Sequence, residues 1–422
     1  MKNLVFTLKE NFKQGLLISY MNQFTSICYI FLIISLFNSK NGNVFYGQYI
    51  LLGSTISVIS GFTGVSSTEG IIYFLSKKLF NTRQVLKWGF LIDLFFGIVL
   101  ISILFFAKNY ISEFIDEIPV QIIFLFGLKS VLKNLRNAVI GFWQFRNRFR
   151  FIYKLSLLEN LTLLTSLILV SFDFFEFDLT FLVKTEFCVA ASFTMLIFSF
   201  FLFQSKNLPI ASTSKELFSK REFLSYNSKL FLSRTIKSGN QKFDNILIGM
   251  FLSTNEVALY DKVKKIFIPI NIILNPLREI FLPKLLSLVK SNNLKLIKSN
   301  IIDRIKIILV ASIFFFLTLF YLKNDIYNYL GIVNSPAIKF ILYGFCFSTL
   351  YLSFFWWVRL LSVSFNPNLS IFANLISTTV IFTITPLCIK LYGFKGLGFS
   401  LFINFTVLAI YWSLKIKKYV FK

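Results

Sequence analysis

The chain alternates between long apolar runs and short polar gaps over its whole length. Most runs are about 20 residues long, which is the length that an α-helix needs to cross the hydrocarbon core of a bilayer. We therefore predict an all-α integral membrane protein with about 12 transmembrane helices. The predicted spans are residues 15–37, 46–72, 85–107, 118–141, 152–172, 179–203, 223–251, 257–283, 303–323, 337–360, 366–389 and 395–415.

The polar gaps also predict an orientation. Lys and Arg residues concentrate in alternate gaps and at both ends of the chain. The opposite gaps carry few cations and these acids: Glu113, Asp116, Glu117, Asp173, Glu176 and Asp178. Because the gaps rich in Lys and Arg stay on the cytoplasmic side, we expect both termini in the cytoplasm.

Composition narrows the classes of function. Hydrophobic residues make up 56% of the 422 residues and charged residues 15%, with a net charge of +25. The cations lie in gaps between spans rather than on one soluble face, so nucleic acid is not an expected partner. Histidine is absent, which excludes histidine catalysis and histidine metal ligands. The four cysteines lie singly in apolar runs, so we expect neither a disulfide framework nor a metal site.

A faint internal repeat divides the chain in half. "NVFYGQYI" (43–50) and "NEVALYDK" (255–262) each end an outer gap and begin a span. Gly47 then aligns with Ala258, an offset of 211 residues in a chain of 422. Six spans followed by six spans is an organisation typical of transporters. We predict two six-helix bundles, residues 1–210 and 211–422, around a central cavity.

The seventh predicted span is unusually polar. "LFLSRTIKSGNQKFDNILIGMFLS" (230–253) contains three cations and one acid. At a helical period its polar residues share one face: Arg234, Lys237, Ser238, Gln241, Lys242, Asp244 and Asn245. A charge at the centre of a bilayer costs several kcal/mol, so this face should contact water or protein.

The fourth span, "FGLKSVLKNLRNAVIGFWQFRNR", repeats this feature, with Lys129, Lys133 and Arg136 on one ridge. Two interpretations of the cations stay open. They line an electropositive, water-filled cavity for an anion such as phosphate, or they reach the membrane surface and pair with nearby acids. Those acids are Asp93, Glu159, Asp261 and Glu279.

"FDNILIGMFLSTNEVALYDKVKKI" (243–266) resembles the signature D-x-x-x-I-G-x-F-L-x-x-x-E-V-G-x-Y of the Wzx-type O-antigen and polysaccharide flippases. These belong to the multidrug/oligosaccharidyl-lipid/polysaccharide (MOP) exporter superfamily. The matching residues are Asp244, Ile248, Gly249, Phe251, Leu252, Glu256, Val257 and Tyr260. Ala258 departs from the usual Gly. Residues 46–79 and 391–405 carry weaker resemblances of the same kind.

The resemblance implies a flippase in a bacterial inner membrane. It would move undecaprenyl-diphosphate-linked oligosaccharide repeat units from the cytoplasmic to the periplasmic leaflet by alternating access, and would work beside a polysaccharide polymerase and a chain-length regulator. The substrate-binding candidates are Arg234, Lys237, Lys129, Lys133, Arg136 and Lys242 for the diphosphate, and Gln241 and Asn245, with Gln144, for sugar or headgroup. Trp143 is a further candidate, although ordinary packing is the favoured interpretation for its ring.

Three acids within spans, Asp93, Glu159 and Asp244, are candidates for coupling to H⁺ or Na⁺. No P-loop is present and no other cofactor is expected. A multidrug exporter or a lipid II exporter of the same superfamily stays open as an alternative. A membrane polymerase or glycosyltransferase could use the acids of "FDFFEFD" (172–178) to bind a divalent cation. The outer gaps are too short for such an enzyme, so we predict a protein that is not an enzyme.

Overall fold

The computed structural model describes most of the chain, and its described part is helical without a single strand. The described residues are 2–63, 67–76, 82–146, 148–205, 221–224, 227, 242–270, 294–365 and 368–420. Within them, seven helices are long and apolar enough to cross a membrane. A helix pair bent by 71° makes an eighth when it is counted as one span. The all-helical, multi-pass membrane fold predicted from the apolar runs is thus confirmed.

The chain forms two compact units, which are described separately. The first consists of Met1–Asn41 and Leu51–Ser238. Its helices are α1 (Lys2–Leu36), most of α2 (Asn43–Thr63), α3 (Thr68–Ser76), α4 (Thr82–Phe114), α5 (Val120–Leu135), α6 (Asn137–Phe145), α7 (Phe149–Ser171) and α8 (Leu179–Ser205). A short π-helical turn, Phe37–Asn41, follows α1.

The first unit has an aromatic core where α3, α4, α6 and α8 meet. Phe74, Phe142 and Trp143 are buried there. The indole of Trp143 donates a hydrogen bond to Gln204 (3.1 Å) and packs edge-on against Phe151. Trp143, a sugar-contact candidate in the sequence, is therefore a core residue, because its ring is enclosed by this cluster.

The second unit consists of Gly42–Ile50 and Gly239–Lys422. Its described helices are 242–251 (α9), Thr254–Ile266 (α10), Leu294–Tyr321 (α11), Lys323–Leu330 (α12), Pro336–Phe365 (α13), Asn368–Tyr392 (α14) and Gly396–Val420 (α15). The first turns of α2 also belong to this unit, although the rest of α2 belongs to the first.

The two repeat segments of the sequence contact each other in the second unit. The Tyr46 hydroxyl donates a hydrogen bond to Asp261 (2.7 Å), and the Lys262 ammonium donates one to Asn43. A Cβ atom on Gly47 would lie 2.0 Å from the carbonyl oxygen of Thr254. The two helices can approach this closely only because position 47 has no side chain.

Several predicted spans correspond to single helices, whereas the span 46–72 falls on both α2 and α3 and the fourth span is also interrupted. The fourth predicted span, 118–141, is divided at Arg136 into α5 and α6, and the two helices are 16 and 9 residues long. Much of the predicted spans seven and eight lies outside the described residues. The total of twelve spans therefore stays a prediction, as do the boundary at residue 210 and the central cavity.

Candidate anion site

The hairpin of α9 and α10 is built by a local capping motif. Ser253 begins α10: its hydroxyl accepts a hydrogen bond from the Glu256 amide (3.4 Å), and the Glu256 carboxylate accepts one from the Ser253 amide (2.8 Å). This reciprocal capping box satisfies two backbone donors at the start of a helix. It fixes the point at which the chain reverses direction.

Across this hairpin, the two ends of the sequence signature meet. The Tyr260 hydroxyl donates a hydrogen bond to Asp244 (3.0 Å), and the Lys264 ammonium donates one to the same carboxylate oxygen (2.6 Å). Ile248 and Val257 are fully buried between these polar contacts. The signature therefore encodes a hairpin that carries charged groups at a defined separation.

Lysines outnumber acids on this hairpin. We call Lys242, Lys262, Lys264 and Lys265 the lysine cluster; the acids beside it are Asp244 and Asp261. Lys242 lies within electrostatic range of Lys264, Lys265 and both aspartates, and Lys265 lies 3.9 Å from Asp261. The hairpin also carries Glu256 in its capping box, so four lysines against three carboxylates leave an excess positive charge of one.

The lysine cluster has a buried member and accessible members. Lys262 is fully buried and hydrogen-bonded to Asn43. In contrast, Lys264 is 31% exposed and Lys265 is 20% exposed, and Lys242 is half-buried. Three ammonium groups can therefore reach a ligand from the hairpin surface, and ammonium groups bind phosphate oxygens well.

In the first unit, two buried cations are enclosed with carboxylate partners. The Lys129 ammonium lies 2.6 Å from the Glu186 carboxylate, whose other oxygen accepts a hydrogen bond from Tyr29 (2.8 Å). Lys129 also lies 3.6 Å from the centre of the Phe126 ring. Lys129 and Glu186 are both nearly buried, so this ion pair is enclosed and electrically neutral.

A second neutral pair joins α5, α7 and α8. The Arg136 guanidinium lies 2.6 Å from Glu159, and also donates hydrogen bonds to the Thr194 hydroxyl (2.8 Å) and the Ala190 carbonyl (2.5 Å). Each of the three guanidinium nitrogens thus donates a hydrogen bond. For Lys129 and Arg136, the structure favours the pairing interpretation over an open anion site.

A family model identifies the family to which the chain belongs. A model of the polysaccharide biosynthesis protein family matches residues 48–329, two thirds of the chain. The chain belongs to this family. No curated protein matches the chain. The family model confirms the predicted resemblance to polysaccharide biosynthesis proteins, and solved structures of MOP superfamily transporters share the fold.

Those structures cover nearly the whole chain at low identity. A MOP superfamily transporter from Pyrococcus furiosus has a TM-score of 0.66 at 10% identity, covering 98% of this chain and 96% of its own. An inward-facing multidrug-resistance MATE transporter has 0.62 at 12% identity, covering 96% and 94%. The bent form of the Vibrio cholerae MATE transporter VcmN has 0.60 at 10% identity, covering 97% of both chains. This member of the polysaccharide biosynthesis family thus has a transporter fold.

The remaining site candidates of this family member are scattered. Lys133 is exposed on α5, whereas Asn245 is buried in α9. Arg234, Lys237 and Gln241 lie outside the described residues. Of the eight substrate-binding candidates, the structure therefore brings only Lys242 and Asn245, within its described residues, to the α9–α10 hairpin.

The three coupling candidates lie in three separate networks. Asp244 pairs with Lys264 and Glu159 pairs with Arg136. Asp93 is buried in α4 and accepts hydrogen bonds from the Ser67 amide (3.2 Å) and hydroxyl (2.6 Å). Among the three, Asp93 is the acid whose hydrogen-bond donors, within the described part of the chain, are uncharged.

Sequence reasoning missed Glu186 and Tyr29, which form the network around Lys129. Glu186 lies within an apolar run, and this is the criterion that selected Asp93 and Glu159, so it could have been found. Tyr29 gave no such signal, because tyrosine is common in apolar spans. In the described residues, no group of three His, Cys, Asp or Glu side chains is arranged to hold a metal ion.

Proposed function

We propose that this protein is a flippase for undecaprenyl-diphosphate-linked oligosaccharide repeat units, and that the lysine cluster binds the diphosphate. One observation carries the proposal. This chain belongs to a family of polysaccharide biosynthesis proteins, and its α9–α10 hairpin holds four lysines beside two aspartates. An excess of accessible cations suits a diphosphate, whose oxygens accept charge-assisted hydrogen bonds.

The lysine excess also separates this proposal from its rivals. A multidrug exporter for cationic compounds needs a neutral or acidic site, the opposite sign to this hairpin. For the Pyrococcus furiosus transporter of the same fold, a reversed polarity of the binding pocket was taken to suggest a different function. A lipid II exporter would also handle a lipid diphosphate, so the identity of the sugar must distinguish that alternative.

The mechanism that we propose is alternating access in the inner membrane, with both termini in the cytoplasm. The diphosphate would be held by the lysines while the lipid tail stays in the bilayer. Coupling to H⁺ or Na⁺ would use Asp93, because Glu159 and Asp244 already have cationic partners. A polymerase and a chain-length regulator would then act on the repeat unit delivered to the periplasm.

The test is transport by the full chain in proteoliposomes. An undecaprenyl-diphosphate-linked oligosaccharide is loaded, and its exposure at each leaflet is followed with a sugar-oxidising enzyme. We expect the double variant Lys242→Gln/Lys265→Gln to be at least about tenfold slower than wild type, because two phosphate hydrogen bonds to charged donors are lost.

The matched control is Lys390→Gln, which removes an exposed lysine elsewhere in the second unit and should transport normally. Transport by the double variant at the wild-type rate would refute the role of the lysine cluster. Failure of the wild-type protein to move this lipid, together with transport of lipid II, would refute the substrate.

A further inference from the structure

The first unit contains a cavity that the proposed transport chemistry does not use. Its volume is about 730 Å³, which is in the range of small-molecule sites. The π-helical turn after α1 forms one wall, and the loop 172–178 with the start of α8 forms the other. Every residue that lines it belongs to the first unit.

The walls of this cavity are held in place. Phe177 is buried and packs edge-on against Phe37, with ring centres 4.8 Å apart. Lys40 pairs with Asp173 and donates a hydrogen bond to the carbonyl of Val170 (3.3 Å). These contacts join the two walls, so the cavity is a formed feature of the fold.

The cavity lining combines a flat aromatic surface with many acceptors. Phe175 and Phe181 are stacked, with ring centres 5.8 Å apart. Beside them lie the carboxylates of Asp173, Glu176 and Asp178. The Oδ1 atom of Asn41 is also buried, and it accepts no hydrogen bond from any residue in the described part of the chain.

Two residues of the cavity lining have unusual backbone geometry. Asp173 has a φ of 60°, which an L-residue other than glycine adopts rarely. Asn41 ends a π-helical turn, and such turns are frequent at functional sites. The two residues lie on opposite walls of the same cavity. Unusual backbone and an unused acceptor therefore occur together at one place.

The charge and the aromatic surface of the lining indicate which class of ligand the cavity can bind. Three carboxylates and two lysines give the lining a net charge of −1, so it repels a diphosphate or another anion. Carboxylate oxygens suit a ligand rich in hydroxyl donors, and aromatic faces suit one with flat apolar C–H surfaces. A neutral or amino sugar has both properties.

We propose that this cavity is an oligosaccharide subsite, which binds neutral or amino sugars through the Phe175–Phe181 faces and the surrounding acceptors. The inference rests on the proposed function, in which the sugar arrives attached to a diphosphate and this face lies in the periplasm.

The test is sugar binding to the full chain in nanodiscs, followed by saturation-transfer NMR. The probes are N,N′-diacetylchitobiose as a neutral sugar, glucosamine, glucuronic acid and glycerophosphoethanolamine. We expect the first two to bind and glucuronic acid to bind at least about tenfold more weakly, because its carboxylate faces three others.

Two variants with matched controls locate the site. Phe175→Ala and Glu176→Gln change exposed loop residues that line the cavity, so the fold should persist. Their controls are Phe174→Ala, an exposed neighbour outside the lining, and Glu113→Gln, an exposed acid on α4. We expect each cavity variant to weaken sugar binding about three- to tenfold and each control to leave it unchanged.

Three results would overturn the inference: no binding of either sugar, equal losses in the variants and their controls, or binding of glycerophosphoethanolamine alone, which would identify a lipid headgroup site. Because free sugars are the probes, the outcome is independent of transport. If wild type transports the lipid-linked substrate but binds no sugar, only this inference fails. If it binds sugar but transports nothing, only the proposed function fails.

Discussion

The cations of the two units differ in how far they are enclosed. In the first, Lys129 and Arg136 each have one carboxylate partner, Glu186 and Glu159 respectively. In the second, the lysine cluster exceeds its two aspartates. Enclosed ion pairs hold helices together, whereas lysines that are partly exposed can contact a ligand as well as their carboxylate partners. The exposure of the cations, rather than their number, therefore separates structural charge from candidate binding charge.

The largest effect that this comparison predicts is on stability in the first unit. Glu159→Gln leaves the buried Arg136 without its counter-charge, which should cost about 3–5 kcal/mol. Thermal denaturation of the purified protein should show a clearly lower midpoint. The double variant Arg136→Met/Glu159→Met should recover much of the loss, because it removes both charges. A midpoint for Glu159→Gln equal to that of the exposed-site control Glu113→Gln would contradict the structural role.

The next effect concerns the contact between the two repeat segments. Gly47→Ala places a Cβ atom against the carbonyl of Thr254, so α2 or α10 must shift, at a cost of about 1–3 kcal/mol. Gly53→Ala is the control, since its nearest neighbour, Phe126, lies 3.4 Å from the new atom. Limited proteolysis should cleave the first variant faster than the second. Equal cleavage would show that the helices do not approach so closely.

A third prediction sharpens the distinction between the units. Lys242→Gln should weaken binding of undecaprenyl diphosphate about tenfold with little change in denaturation midpoint, because an accessible cation is lost. Lys129→Gln should do the reverse, since it leaves Glu186 buried without its cation. Binding by native mass spectrometry and denaturation of the same samples separate the two. If both variants change the same quantity, the comparison fails.

The smallest effect is expected at the surface pair of Lys40 and Asp173. Asp173 is 81% exposed, so Asp173→Asn should change stability by less than about 1 kcal/mol. Asparagine also tolerates the left-handed backbone at this position. Denaturation midpoints with and without 1 M salt should be nearly equal for the variant. A large loss would mean that this pair, unlike other exposed pairs, holds the fold.

The apolar runs were sufficient to predict the fold class, because bilayer thickness fixes helix length and leaves little freedom. The capping box of Ser253 and Glu256 is a local motif that could have been read from its spacing, although the sequence analysis did not use it. Pairing between distant residues could not be read in this way. Lys129 reaches Glu186 and Arg136 reaches Glu159 across 57 and 23 residues, and one sequence does not state which acid faces which cation.

The division of α2 between the two units has a consequence for the synthesis of the chain. Asn43 and Tyr46 are made early, but their partners Lys262 and Asp261 follow 219 and 215 residues later. The hydrogen bond from the Tyr46 hydroxyl to Asp261 can therefore form only after the whole first unit has been synthesised. The start of α2 reaches its final environment only when α10 has left the ribosome.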